Sequence, residues 1–579
     1  MMGVARMTLL ALLAALACIG PLAAQLQTPL DPSSAAVLPV TPVAARHGMV
    51  VAQEGRAARV GMEVLRNGGN AVDAAVATGF AMAVTYPRAG NIGGGGYMMI
   101  HLAGRNMDTA IDYRETAPAA TTRDIFLDDK GEADPRKSRD SALGIGVPGT
   151  VAGLALAHAK YGSGKFTLAQ LLAPAIALAR DGIPVEDDVA DTLPRAQARF
   201  ARWPASARIF LHADGTALRP GEMLVQSDLA ATLMAIADKG PRAFYEGAIA
   251  DKIAAGVRNA GGIMTSDDLR NYRPIERTPV RGSYRGYDVV SMPPSSSGGA
   301  VLLEILNILE GYGDLAADPA RRLHLTVEAM KLAYADRAAF LGDPAMVEVP
   351  LPRLLSKQYA SELRARIDPE RARAAAEIHP ALPPPREGHN TTHFSVVDGA
   401  GNAVSNTTTL NFSYGVGLVA EGTGVLLNNE LDDFAAKPNA PNAYGLLGGE
   451  ANAPAPNKRP LSSMTPTIVL KDGKPVIVTG APGGSRIITA VLQVITNVID
   501  GRMSIAEAVA APRLHHQWMP DEVVVERDFS PELIRALRAR GHMVREEGRW
   551  SSVNSIAMTA NGLVGAADAR TRGALAAGY

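Results

Sequence analysis

Cysteine is all but missing: the 579 residues contain one, Cys18. No disulfide can close within the chain, and no thiolate cluster can hold a metal. H-E-x-x-H is absent too, as are G-x-S-x-G and S-x-x-K, which removes the helical zinc-protease pattern and two common serine-nucleophile signatures. His389 and His393 flank a β-prone segment, where a spacing of four does not close on one metal, and the adjacent His515 and His516 point to different sides of any element, as suits a structural or surface role. No metal or other cofactor is expected. An excess of either charge is also lacking, since 57 Lys+Arg face 58 Asp+Glu for a net charge of -1. A polyanion such as nucleic acid is therefore not the expected partner, and a small molecule or peptide is.

Only one long apolar run stands out. It extends from Thr8 to Ile19, follows a single Arg and leads to small residues at Ala23-Ala24. That pattern reads as a secretory signal peptide over 1–24, too short to favour a membrane span, and it implies export to the periplasm or medium. Cys18 leaves with it, so the mature chain is expected to hold no thiol.

Length alone suggests about four domains, but helix and strand signals alternate along the whole chain, as in a large α/β body. Arg46–Ala52 reads as a strand, Ala57–Arg66 and Ala71–Val84 as helices separated by Asn67-Gly68-Gly69-Asn70. Thr167 with Gln170, and Ser504 with Glu507, form capping boxes. Val280–Ser291, Met464–Leu470 and Pro475–Thr479 read as strands. Residues 371–387 pass from an Ala/Arg helix into a Pro-rich tether, either an ordinary linker or the approach to a cleavage site.

After that tether the chain reads "NTTHFSVVDGAGNAVSNTTTLNFSYG". Two β-prone runs, Thr391–Val397 and Ala403–Asn411, flank the turn residues 398–402 and predict a hairpin that sets Thr391 opposite Thr409 or Leu410. Threonine is common in strands because it is β-branched, so no single threonine here argues for chemistry on its own.

This block, together with "LLNNELDDF", "NKRPLSSMTPTIV", "TGAPGGSRIIT" and the upstream "DYRETAPA" and "GNIGGGGYMMIHL", resembles the signature blocks of the γ-glutamyltransferase family, in family order from about Arg46 to Tyr579. The resemblance implies an αββα sandwich of the N-terminal-nucleophile hydrolase type, one compact body made from two subunits of a self-cleaving precursor. The cut falls between Asn390 and Thr391, giving a large subunit over 25–390 and a small one over 391–579.

The same resemblance makes Thr391 the nucleophile and Thr409 its hydrogen-bond partner, with Gly483 and Gly484 as the oxyanion hole. Arg114, Ser462 and Ser463 fall on the donor's α-carboxylate, and Asn411, Glu430 and Asp433 on its α-ammonium. Tyr444 matches the aromatic of a lid over residues 434–457, for which a surface insert is the alternative. The implied donors are glutathione and other γ-glutamyl compounds, and the acceptors are water, amino acids or dipeptides. His389 and His393 are rival bases, ranked behind the α-amine that cleavage frees on Thr391. "GNIGGGG" is structural, since no Gly-Lys-Ser/Thr follows it. Two other functions compete: an acylase acting on glutaryl or cephalosporin amides, and a periplasmic solute-binding protein.

Overall fold

The computed structural model describes residues 39–378, 391–438, 440 and 446–579. The leader over 1–24, His389, Asn390 and Tyr444 lie outside them. The predicted hairpin forms: Thr392 pairs with Thr408 and Val397 with Ala403, while the Asp398 amide donates to the Asn402 carbonyl across the turn.

The strands of the two large sheets are, in chain order, β1 (Val43–Ala45), β2 (Gly48–Ala52), β3 (Gly95–Leu102), β4 (Met107–Asp112), β5 (Ile275–Arg277), β6 (Val280–Tyr284), β7 (Tyr287–Ser291), β8 (Thr392–Asp398), β9 (Ala403–Thr409), β10 (Thr467–Lys471), β11 (Lys474–Thr479), β12 (Ser555–Thr559), β13 (Gly562–Ala566) and β14 (Leu575–Gly578). One seven-stranded sheet runs β14-β2-β8-β9-β3-β4-β5 and the other β1-β13-β12-β11-β10-β7-β6. Every neighbouring pair in both is antiparallel.

Alternation along β8 decides what each face meets, because successive strand residues point to opposite sides. Phe394 and Val396 enter the core beneath the helices, while Val397 enters the core shared with the second sheet. Between the sheets the contacts near the hairpin are polar: Ser395 Oγ donates to the Asn554 carbonyl at 2.9 Å and Ser405 Oγ to the Thr479 carbonyl at 2.9 Å. Helices Gly55–Arg66 and Ala71–Thr85 cover the outer face of the first sheet. The second of these is buried on all sides, which explains its alanine-rich, non-amphipathic sequence. Helices Gly298–Glu310, Pro319–Phe340 and Arg486–Ile499 cover the second sheet. The result is the expected αββα sandwich in one body, not four domains.

Two local expectations fail. The run Val280–Ser291 is not one strand but a hairpin, turned at Arg285-Gly286, where φ is 53° and 77°. Both values suit the two-residue turn that matches strand twist. Residues 371–374 form no helix, and only Ala375–Glu377 makes a 3₁₀ turn. Tertiary contacts override the helix propensity there: the Ala372 amide donates to the Arg540 carbonyl, the Ala375 amide to Asp521 Oδ2, and Trp518 Nε1 to the Ala375 carbonyl.

Strands from before and after the 379–390 segment alternate in both sheets. In the first, β8 and β9 lie between β2 and β3; in the second, β13, β12, β11 and β10 lie between β1 and β7. A chain broken in that segment thus keeps every strand pairing. Among the described residues no helix is long and apolar enough to cross a membrane.

Candidate active site

Extending the hairpin register by one residue brings Thr391 against Thr409, and the Thr391 hydroxyl donates to Thr409 Oγ1 at 3.3 Å. Thr409 Oγ1 also accepts from the Asn411 amide at 2.8 Å, at a residue held in the left-handed region with φ of 70°. Asn91 fixes the same corner from below, donating through Nδ2 to the Thr409 carbonyl at 2.8 Å and accepting the Gly94 amide at 2.9 Å. A Cβ on Gly94 would lie 2.1 Å from the Thr409 carbonyl oxygen, so the glycine run around it serves close backbone approach.

His393 shares a strand with Thr391 but its ring is committed elsewhere. Its nitrogens face Thr407 Oγ1 at 2.9 Å and Ser395 Oγ at 3.0 Å, and burial lowers its pKa to about 3. A neutral imidazole tied to two hydroxyls is a structural element. His515 and His516 are structural as well, bonded to Thr489, Gln517 and Asp521.

Gly483 and Gly484 have φ of 130° and 56° and lead directly into helix Arg486–Ile499. A Cβ on Gly483 would sit 2.1 Å from Ser551 Oγ, and the φ of 130° strains any side chain there. The turn is fastened by Tyr334, whose hydroxyl donates to the Ser485 carbonyl at 2.5 Å. A helix N-terminus preceded by two such residues directs positive backbone charge into the space it faces.

The charged residues converge more tightly than their sequence positions suggest. Arg114 is fully buried and forks between Glu430 and Asp433, with Nε donating to the Pro460 carbonyl at 3.1 Å. Burial disfavours its charge, but Glu430 and Asp433 outweigh that and hold its pKa above the ordinary arginine value. Residues expected on opposite ends of a ligand are thus joined directly.

Glu115, which sequence reasoning did not single out, lies beside them and is also fully buried. Burial pushes its carboxyl up to about 7, with Arg114 opposing. Neither Glu115 oxygen, nor Glu430 Oε2, has a donor among the described residues. Burial raises the Glu430 carboxyl as well, with Arg114 opposing.

Arg114, Thr391, Thr409, Asn411, Glu430, Asp433, Ser462, Ser463 and Gly484 all line one pocket of about 290 Å³. Gly483 stands just behind Gly484. Leu461, Met464, Ser485 and Ile487, from the same signature blocks, complete the walls with Arg337 and Leu446, which lie outside those blocks. Leu446 brings the described part of the 434–457 loop into the site, and Asn452 ties that loop to the Asp433 carbonyl and the Leu461 amide. The arrangement offers a hydroxyl nucleophile, backbone donors at a helix start, and a buried cluster of both charges.

Comparison with known proteins gives consistent neighbours. A family model described as gamma-glutamyltranspeptidase matches residues 57–578. A glutathione hydrolase proenzyme of Escherichia coli is 50% identical over 544 residues, 93% of each chain. An acylase ACY 1 proenzyme of Pseudomonas is 39% identical over 92% of this chain and 94% of its own. Among solved structures, cephalosporin acylase from Bacillus halodurans superposes with a TM-score of 0.82 at 30% identity, over 94% of this chain and 98% of its own. A γ-glutamyltranspeptidase of Helicobacter pylori gives 0.55 at 43% identity, over 56% of this chain and 93% of its own.

The Arg114 fork generates a stability prediction. Arg114→Ala leaves Glu430 and Asp433 buried without their cation and is expected to cost about 3–5 kcal/mol in urea denaturation. Adding Glu430→Gln and Asp433→Asn to it should recover at least half of the loss. A triple variant no more stable than Arg114→Ala would show that the fork does not carry the effect.

Proposed function

This chain belongs to the γ-glutamyltranspeptidase family and is a glutathione hydrolase made as a self-processing proenzyme; we propose that Thr391 is both the residue that cuts the precursor and the nucleophile of the mature enzyme. The observation that carries this reading is the 3.3 Å contact between the Thr391 and Thr409 hydroxyls inside the charged pocket.

In the precursor the Thr391 nitrogen is an amide and accepts no proton. Its hydroxyl attacks the Asn390 carbonyl, the acyl group moves from nitrogen to oxygen, and water hydrolyses the ester. The Thr391 nitrogen is then an α-amine with a reference pKa of about 7.7–8.0, a base attached to the nucleophile itself. It takes the hydroxyl proton as Thr391 attacks a γ-glutamyl amide, and returns it to the leaving amine. The tetrahedral oxyanion faces the amides of Gly483 and Gly484, while Thr409 orients the nucleophile. Water, an amino acid or a dipeptide then receives the acyl group. The large and small subunits, 25–390 and 391–579, stay together as a heterodimer through the interleaved sheets. The leader over 1–24 directs the precursor to the periplasm or medium.

The γ-glutamyl head carries an α-carboxylate and an α-ammonium. Asp433, Glu430 and Asn411 face the ammonium in this reading, and Ser462 and Ser463, with Arg114 behind them, the carboxylate. Acylase relatives at 39% and 30% identity keep a second donor class in view. The carboxylates against Arg114 favour a donor that brings a cation of its own, because a glutaryl group lacks one.

Two experiments test the reading. Thr391→Ala should remain one uncut chain on a denaturing gel and show no turnover; a variant still split at this bond would assign the cutting to an outside protease. Asp433→Asn should lower kcat/KM for a γ-glutamyl anilide by about 10-fold or more, as expected for a hydrogen bond to a charged group. The matched glutaryl anilide should be spared. A constant ratio between the two substrates would remove Asp433 from the ammonium site.

A further inference from the structure

Two histidines and a glutamate meet in a buried cluster that does not line the Thr391 pocket and takes no part in the chemistry above. His324 and Glu328 are four residues apart on helix Pro319–Phe340 and so share one of its faces. His542 follows helix Pro531–Ala539, where Gly541, with φ of 96°, turns the chain and the His542 amide donates back to the Leu537 carbonyl. One ligand atom from each of the three side chains lies within 4.8 Å of the other two. His324 Nδ1 and His542 Nε2 are 2.8 Å apart, and the same His542 nitrogen is 3.9 Å from Glu328 Oε1.

Hydrogen bonding fixes which nitrogens are bare. His324 Nε2 faces the Asp368 carbonyl at 2.8 Å and so carries the ring proton, which leaves Nδ1 as an acceptor. The proton between the two rings then belongs to His542 Nε2. Burial keeps both rings neutral, lowering His324 and taking His542 down to about 2. Two neutral imidazoles, one of them oriented through its far nitrogen by a backbone carbonyl, and a carboxylate are a donor set that suits zinc. Zinc bonds of about 2.0–2.1 Å place tetrahedral ligand atoms about 3.3–3.4 Å apart, so each of the two observed spacings changes by only about half an ångström.

Lys331 is the opposing charge. Its Nζ meets Glu328 Oε1 at 2.5 Å and donates to the Arg373 carbonyl at 2.5 Å. It favours the ionised carboxylate against burial, but it also repels a second cation, which sets the affinity below that of a closed thiolate site. Access is short, because Met543, next to His542, is 69% exposed and Asp368 is exposed as well.

We infer that His324, Glu328 and His542 form a zinc site that clasps the two subunits together. His324 and Glu328 precede the 379–390 segment and His542 follows it, so an ion held by all three spans the cut; the clasp, though not the site, rests on cleavage between Asn390 and Thr391. On binding, the ion takes the place of the proton between the rings. His542 stays neutral by carrying its proton on Nδ1, and water fills the fourth position. The 218 positions between the two histidines are why no metal pattern shows in the sequence.

Mature enzyme stripped with EDTA and desalted should take up one zinc per large and small subunit pair in isothermal titration, with a micromolar dissociation constant. His542→Gln and His324→Gln should each weaken that binding by about 10-fold or more, while kcat/KM measured without zinc stays within about twofold of wild type. Zinc at about 100 times its dissociation constant should raise the thermal midpoint of wild type by about 2–3 °C and leave both variants unmoved. Should the variants fail to mature, cobalt(II) added to the stripped wild type decides: the visible absorption of a four-coordinate ion, abolished by zinc, supports the site, and a six-coordinate spectrum overturns it. Absence of zinc binding, or binding that neither variant weakens, also overturns it. A chain that binds zinc at these residues but runs uncut on a denaturing gel would instead refute the cleavage reading, and with it the clasp alone.

Discussion

The antiparallel register that sets Thr392 opposite Thr408 is the constraint on which the rest of the site depends. A slip of one residue would turn every side chain of β8 to the other face of the sheet, taking Thr391 from Thr409 and Phe394 from the core. The turn sets the register at one end, where the Asp398 amide donates to the Asn402 carbonyl. It is held along its length by Phe394 and Val396 under the helices, by Ser395 and Ser405 bonded toward the second sheet, and by Asn91 gripping the Thr409 carbonyl. The glycines around Asn91 matter for the same reason, since they let the chain pass against Thr409 without a side chain between.

Charge is the second constraint, and it follows from the first because the hairpin closes one wall of the pocket. Arg114, Arg337, Glu430 and Asp433 line it with Glu115 buried beside them, a set that would be unstable as independent ions. Arg114 pairs with Glu430 and Asp433, burial raises the Glu115 and Glu430 carboxyls toward their neutral forms, and Arg337 rests on hydroxyls. A ligand head bearing both charges would add no net charge to that cluster. Such a head is what distinguishes a γ-glutamyl donor from a glutaryl one.

Sequence pattern made the local part of this legible. Turn residues between two β-prone runs narrowed the partner of Thr391 to Thr409 or Leu410, of which the register selects Thr409, and capping boxes at Thr167 and Ser504 marked real helix starts. Motif resemblance added Arg114, Asp433, Ser462 and Ser463, which the fold gathers into one pocket. What stayed hidden was relational. That Arg114 pairs with Glu430, 316 positions away, and not only with a ligand, is a property of packing. Arg337 lies outside every motif, and only its burial against Ser297 and Ser463 marks it. The Ala/Arg helix expected at the start of 371–387 fails similarly, since Ala and Arg favour a helix until groups of the 518–540 region compete for the backbone.

The central claim is that the residue freed by self-cleavage is the one that carries the acyl group. Acid-quenching the mature enzyme during turnover of a γ-glutamyl donor, followed by peptide mapping by mass spectrometry, addresses it most directly. The account predicts a γ-glutamyl ester on the peptide whose first residue is Thr391. An adduct on any other side chain, or a small subunit that begins elsewhere than Thr391, would contradict it.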